Sequence, residues 1–162
     1  MRSKGFDGMV CSIADVLAAI GDRWGALLLR DLSLGLSRYD EFRHSTGVTN
    51  ATLSDRLRHL ESEGLIERRL YQTNPERYEY RLTAKGWGVV PVMVAMAELG
   101  DRWRASAGES PPLKFVNRST GAPVRLAFVD QDTGLTLTQA ELSAAEGAGA
   151  DDLVRWRLSR DR

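Results

Sequence analysis

Few side chains in this chain have the types and spacing that covalent chemistry needs. Cys11 is the one cysteine among 162 residues, and the two histidines, His44 and His59, belong to no paired arrangement with a nucleophile. No glycine-rich phosphate loop is present. A single thiol allows neither an intrachain disulfide nor a cysteine-built zinc site, so no enzyme activity, metal or cofactor is expected. The residues that stand out are hydrogen-bonding ones gathered between Thr49 and Arg77: Thr49, Asn50, Thr52, Ser54, Asp55, Arg58, His59 and Arg77. The chemistry open to them is recognition. Arginine pairs bidentately with guanine, asparagine with adenine, a carboxylate accepts from cytosine, and hydroxyls bond bases or phosphates. Read alone, the same residues suit an ordinary solvated helix face equally well.

Recognition residues need elements to hold them together. Thr49 stands before a run in which Leu53, Leu57 and Leu60 recur at helical spacing, so it caps an amphipathic helix. Gly64 stops that helix. Opposite the leucines lie Ala51, Thr52, Asp55, Arg58 and His59, with Asn50 and Ser54 at the flanks. Leu65 to Tyr71 starts a strand, Asn74-Pro75 turns the chain, and Tyr78, Tyr80 and Leu82 alternate with charged residues in a second strand. Upstream, Ile13, Val16, Leu17 and Ile20 form an apolar stripe that ends at Gly21. A second helix spans about Trp24 to Leu34, with Trp24, Leu27, Leu28 and Leu32 directed inward. Ser37 caps a third helix, which carries Tyr39 and Phe42. Three short helices, the last pair joined by a glycine-bearing turn, make a helix-turn-helix, and the hairpin that follows makes it winged.

At this point the chain resembles a family. Cys11, Gly21 to Trp24, Leu29-Arg30-Asp31, Gly47-Val48-Thr49, Arg56-Leu57-Arg58 with Leu60-Glu61, Gly64-Leu65-Ile66, Pro75, Glu79-Tyr80, Leu82-Thr83 and Gly86 are similar to the HxlR-type bacterial transcriptional regulators, relatives of the MarR-type winged-helix proteins. The likeness runs from Cys11 to about Trp103. Departures are Glu76 after Pro75, and Ser12 after Cys11 where the family often has proline. The last third of the chain matches only longer members. The resemblance implies a mainly α fold with a β-hairpin wing, double-stranded DNA as partner, and a homodimer that represses by occupying an inverted-repeat operator. It turns the helix face above into a major-groove reader and Arg77 into a phosphate or minor-groove contact at the hairpin tip. It also implies a possible redox-sensor role for Cys11. No Lys or Arg lies close to Cys11 in sequence to activate it, so a small residue buried at a helix start fits better. A redox or small-molecule sensor whose winged helix serves protein–protein contact is the alternative reading.

Charge tempers the DNA reading. The formal net charge is +0, and from Arg38 to Lys85 nine Lys and Arg face eight Asp and Glu. Attraction to DNA must come from where the charges point. Arg56, beside the leucine stripe, suits an ion pair or a phosphate equally. Lys85, in the first turn of a helix, is explained either by a nearby phosphate or as plain surface charge.

From Thr83 a long helix is predicted, kinked at Pro91. At ~100° per residue, Trp87, Val90, Val94 and Ala97 share one face, while Val89, Val92, Met93, Met96, Leu99 and Trp103 share the other. One face packs on the core and the other is left for an interface. The expected dimer surface is Ile13, Leu17, Val89, Met93, Met96, Leu99 and Trp103. Ser106 to Pro112 is a linker by composition, so residues 1–106 are read as a DNA-binding and dimerisation domain. Residues 107–162 are then a β-rich extension with a flexible tail. There, VNRSTGAPVRL and VDQDTGLTLT look like two related half-hairpins, laid out as the knuckles of a zinc ribbon without its thiolates. The pattern of the last residues, from Asp151, does not choose between helix, strand and disorder. No apolar run approaches the ~20 residues of a membrane helix, and no signal-peptide core is visible, so a cytoplasmic protein with no membrane partner is expected.

Overall fold

The structure, a computed structural model, describes residues 5–160. It divides into two compact units, one of residues 15–112 and one made of the segments up to residue 14 and from residue 113. The first unit is mainly α with a β-hairpin wing. Helices α1 (Ser12–Ile20), α2 (Arg23–Ser33), α3 (Tyr39–Thr46) and α4 (Asn50–Ser62) lead into strands β1 (Ile66–Thr73) and β2 (Glu76–Leu82), then α5 (Ala84–Trp87) and α6 (Val90–Ser106). Leu28, Leu29 and Leu32 of α2 meet Phe42 of α3, Leu53, Leu57 and Leu60 of α4, and Leu65 and Ile66 where the wing begins. All are buried, so the leucine stripe of α4 is a core stripe.

Local chemistry sets the helix ends. Asp22 caps α2, accepting from the amides of Trp24 and Gly25 at 2.9 and 3.0 Å. Thr49 caps α4 through the Thr52 amide. The start of α3 departs from expectation. Arg38 occupies the cap position, and the carboxylate of Glu41 accepts from both the Ser37 and Arg38 amides at 2.8 Å. Ser37 instead lends its backbone to the wing, where its carbonyl accepts from the Tyr80 amide at 2.7 Å and Arg38 bridges Glu79. Asp31, near the C-terminal end of α2, is 2% exposed and ion-paired with Arg30, which also donates to Ser45 of α3.

Two glycines permit contacts that no side chain would. A Cβ on Gly25 would lie 2.0 Å from the Ile20 carbonyl oxygen, and one on Gly86 would lie 2.0 Å from that of Leu65. Both helices therefore sit directly on a neighbouring backbone.

The predicted single helix from Thr83 is two helices. Thr83 does cap the first, accepting from the Gly86 amide, but α5 ends at Trp87. Pro91 falls at the start of α6, where its missing N–H has no intrahelical partner to lose, so it begins a helix instead of kinking one. The break re-phases the faces. Val89 is buried and Met93 packs on the core, whereas Trp87, Val92, Met96, Leu99 and Trp103 are exposed. Val89 and Met93 thus serve the chain's own core. On α1, Ala14, Ala19 and Ile20 point inward, and Ile13 and Leu17 are exposed.

The C-terminal unit is built on turns. Its strands β3 (Phe128–Val129) and β4 (Thr136–Leu137) are two residues each, and Val116 bridges Pro123. The two half-hairpins share one device. Asn117 Oδ1 accepts from the amides of Ser119 and Thr120, and Asp130 Oδ1 accepts from those of Asp132 and Thr133. The last element among the described residues is a helix, α7 (Asp152–Leu158), capped by Asp151.

Candidate nucleic-acid interface

The exposed side of α4 carries Asn50, Ala51, Asp55 and Arg58. Arg58 is the most exposed of its ion-paired residues, with 73% of its side chain accessible and a single long pair, 3.6 Å, to Asp55. The second Asp55 oxygen lies 2.9 Å from Arg56, which reaches back to the α2 cap Asp22 at 3.5 Å. Arg56 therefore ties α4 to α2, and Asp55 sits between two guanidinium groups where it can steer Arg58.

The first turn of α4 is braced from behind. The Tyr39 hydroxyl donates to the Asn50 carbonyl at 2.9 Å and shares a hydrogen bond with Ser54 Oγ at 3.0 Å. Thr52 is half-buried against the Thr49 hydroxyl at 3.0 Å. Of the eight residues singled out in the sequence, Thr49, Asn50, Asp55 and Arg58 lie together on the accessible side, and Thr52 and Ser54 flank them with their hydroxyls engaged. His59 does not join them. Its Nε2 is 3.1 Å from the Ala18 carbonyl oxygen of α1, and its ring would be 2.9 Å from a Cβ placed on Gly21. One residue before the buried Leu60, His59 is turned only ~100° from the core stripe, which brings it onto α1.

The wing is a tight antiparallel ladder that turns at Asn74-Pro75 between Thr73 and Glu76. Arg77 pairs with Gln72 in that ladder, exposed, with no ion pair among the described residues. The register shifts between Leu70 and Gln72, and Tyr71, at the shift, lies under the Arg38 guanidinium at 4.7 Å. A cleft of about 530 Å³ opens there between the start of α3 and the wing, lined by Arg38, Tyr39, Tyr71 and Arg77 among others. Two titrations are displaced nearby. The Ser37 and Arg38 amides hold the Glu41 carboxyl below its ordinary value, and burial pushes the Tyr80 phenol up. Lys85 stands elsewhere. Its ammonium, exposed, donates to the Glu63 carbonyl at 2.6 Å and so lies at the C-terminal end of α4, where a cation is favourable.

Sequence reasoning missed the braces. Tyr39, Asp22 and Arg38 hold the accessible face in place across gaps of eleven residues or more, and no periodicity marks such pairs.

A buried three-helix core whose last helix leads directly into a two-stranded wing defines a winged helix-turn-helix. The chain belongs to the HxlR-like helix-turn-helix family, whose model matches residues 19–107. It is 31% identical over 138 residues to an HTH-type transcriptional regulator of Mycobacterium tuberculosis, covering 85% of this chain and 87% of that one. The solved structure of a candidate transcription factor from Pseudomonas aeruginosa shares 36% identity, with a TM-score of 0.63 over 91% of this chain and all of that one. The redox regulator HypR in its reduced form shares 30% identity, with a TM-score of 0.56 over 60% of this chain and 98% of its own. The protein is accordingly an HTH-type transcriptional regulator. Among the described residues, no helix is long and apolar enough to cross a membrane.

Proposed function

We propose that the protein is a homodimeric repressor that occupies an inverted-repeat operator in double-stranded DNA. The N-terminal half of α4 enters the major groove and the wing meets the adjacent backbone or minor groove. The observation that carries this reading is the combination of Arg58, directed to solvent opposite the buried leucine stripe, with the unpaired Arg77 on the wing. Glu61 and Glu63 fall at the far end of α4 and Glu67 just beyond it, so a neutral charge count still leaves an attractive face. Ile13, Leu17, Met96, Leu99 and Trp103, all exposed, supply the dimer surface. Residues 1–106 carry binding and dimerisation in this reading, and 107–162 are an appended extension.

Two arginine variants test it. Arg58→Ala should cost ~1–3 kcal/mol on operator DNA and relax preference at one position per half-site. Arg77→Ala should weaken operator and scrambled duplexes alike and lower the salt slope by about one unit. Fluorescence anisotropy over a salt series reads both, starting from a duplex taken from upstream of the protein's own gene. If neither change alters binding, α4 is not in the groove, and the winged helix is a protein-contact module.

A second reading, oxidant control, is favoured by the likeness to HypR and by Cys11, half-buried one residue before α1. Diamide should then give a disulfide-linked dimer on a non-reducing gel and shift operator affinity. An unchanged promoter response in Cys11→Ser would end this reading.

A further inference from the structure

We propose that the cleft between α1, the C-terminal end of α4 and α5 binds a lipophilic organic cation, and that filling it loosens the hold on DNA. The cleft measures about 550 Å³, within the range of small-molecule sites. Its floor is the hydrocarbon of Ala19, Leu65 and Val89, each less than a tenth exposed, and Val16 forms its lip. An aromatic or branched aliphatic body would exchange water for that surface on entry.

The rim chooses the charge. Asp15 and Glu63 stand at the opening, and neither carboxylate forms a hydrogen bond or ion pair with any described residue. The one ammonium on the rim, Lys85, is turned onto the Glu63 carbonyl at 2.6 Å. Two unpaired carboxylates against one committed lysine leave the mouth net negative. A buried apolar body that carries a positive centre finds a counter-charge there, whereas an anion of the same shape meets two carboxylates.

The same walls hold the reading helix. α4 is fastened to this cleft at two points: His59 reaches the Ala18 carbonyl of α1, and Lys85 of α5 reaches the Glu63 carbonyl. A molecule wedged between α1 and α5 acts on both fastenings, and through them on α4. This regulatory half rests on the DNA-binding reading above; the binding half does not.

Tetraphenylphosphonium and tetraphenylborate, alike in shape and opposite in charge, are the probes. Calorimetry on the full chain should show one saturable phosphonium site per chain, with the borate at least tenfold weaker. The isosteric pair Asp15→Asn and Glu63→Gln, combined, should lower phosphonium affinity at least tenfold with an unchanged circular dichroism spectrum. Ala18→Trp, which fills the cleft, should abolish binding. Equal affinity for the two probes, or full phosphonium affinity in the neutralised or filled variants, would overturn the site. Saturating phosphonium should weaken binding to the upstream duplex about tenfold. An unchanged affinity would overturn the regulatory half alone. If the duplex is not bound at all, the DNA reading and its regulation fail together while the calorimetric result stands.

Discussion

Residues 15–112 and residues 113–158 belong to the same chain but are held together by different forces. The first region is built around buried side chains: Phe42, Leu53 and Leu60 are fully enclosed, and Leu28, Leu29, Leu57, Leu65 and Ile66 nearly so. The second has no buried residue; Phe128, Val129, Leu135 and Trp156 are all more than half exposed. What order it has comes from carboxylate, amide and hydroxyl groups that catch backbone N–H donors in its turns. The contrast shows that a turn-rich segment can take a defined path without a core of its own, and that removing a side chain means different things in the two regions.

Core truncation should separate them most sharply. Phe42→Ala or Leu57→Ala should cost roughly 2–5 kcal/mol in urea unfolding, because a cavity remains where the side chain packed. Phe128→Ala should change the same curve by less than about 0.5 kcal/mol, as an exposed residue does. A large loss at Phe128 would mean that the second region contributes to a core after all. Next in size is Gly86→Ala. Its added methyl would meet the Leu65 carbonyl, so α5 must shift, at about 1–3 kcal/mol. Gly134→Ala, in the open turn of the second region, has no such neighbour, and its cost should be confined to the strain of a φ of 70°.

The smallest effect is electrostatic. Glu41→Gln removes a charged acceptor from the start of α3 and should cost roughly 0.5–1 kcal/mol at neutral pH. The native carboxyl titrates below its ordinary value of 4.5 because it accepts from the Ser37 and Arg38 amides. Its contribution is therefore complete above that value and is lost as pH falls through the lower, folded-state one. Wild type and Glu41→Gln should converge in chemical denaturation at acid pH; a gap that persists there would mean the charge is not what matters.

How legible each part was in the sequence follows the same division. The leucine spacing of α4, its Thr49 cap and the alternation in β2 are local patterns, and the structure follows them. The division of the Thr83 segment was misjudged because a proline two positions into a helix and one inside it look alike in sequence. Val89 and Met93 then changed sides, since four residues of separate helix reset the phase. His59 was placed with the groove residues on angle alone, and the carbonyl of Ala18, distant in sequence, claims it. The partner of Lys85 was hidden for the same reason: it is the end of another helix, 22 residues away. In the second region the turns were visible as Thr-Gly pairs and the half-hairpins as β segments, and the structure keeps both, with strands of only two residues.

The backbone bond from Tyr80 to Ser37 has a mechanical consequence. It pins the wing to the segment before α3, while the turn at Gly64 and Leu65 joins the wing to α4 with no linker between. The reading head is thus one jaw of a calliper with no joint of its own. Each added base pair between half-sites turns one of them by about 34–36° around the DNA axis. A jointless jaw cannot follow that rotation by bending, so if the protein binds as the proposed dimer, a changed spacer should be tolerated only as far as the contact between subunits gives.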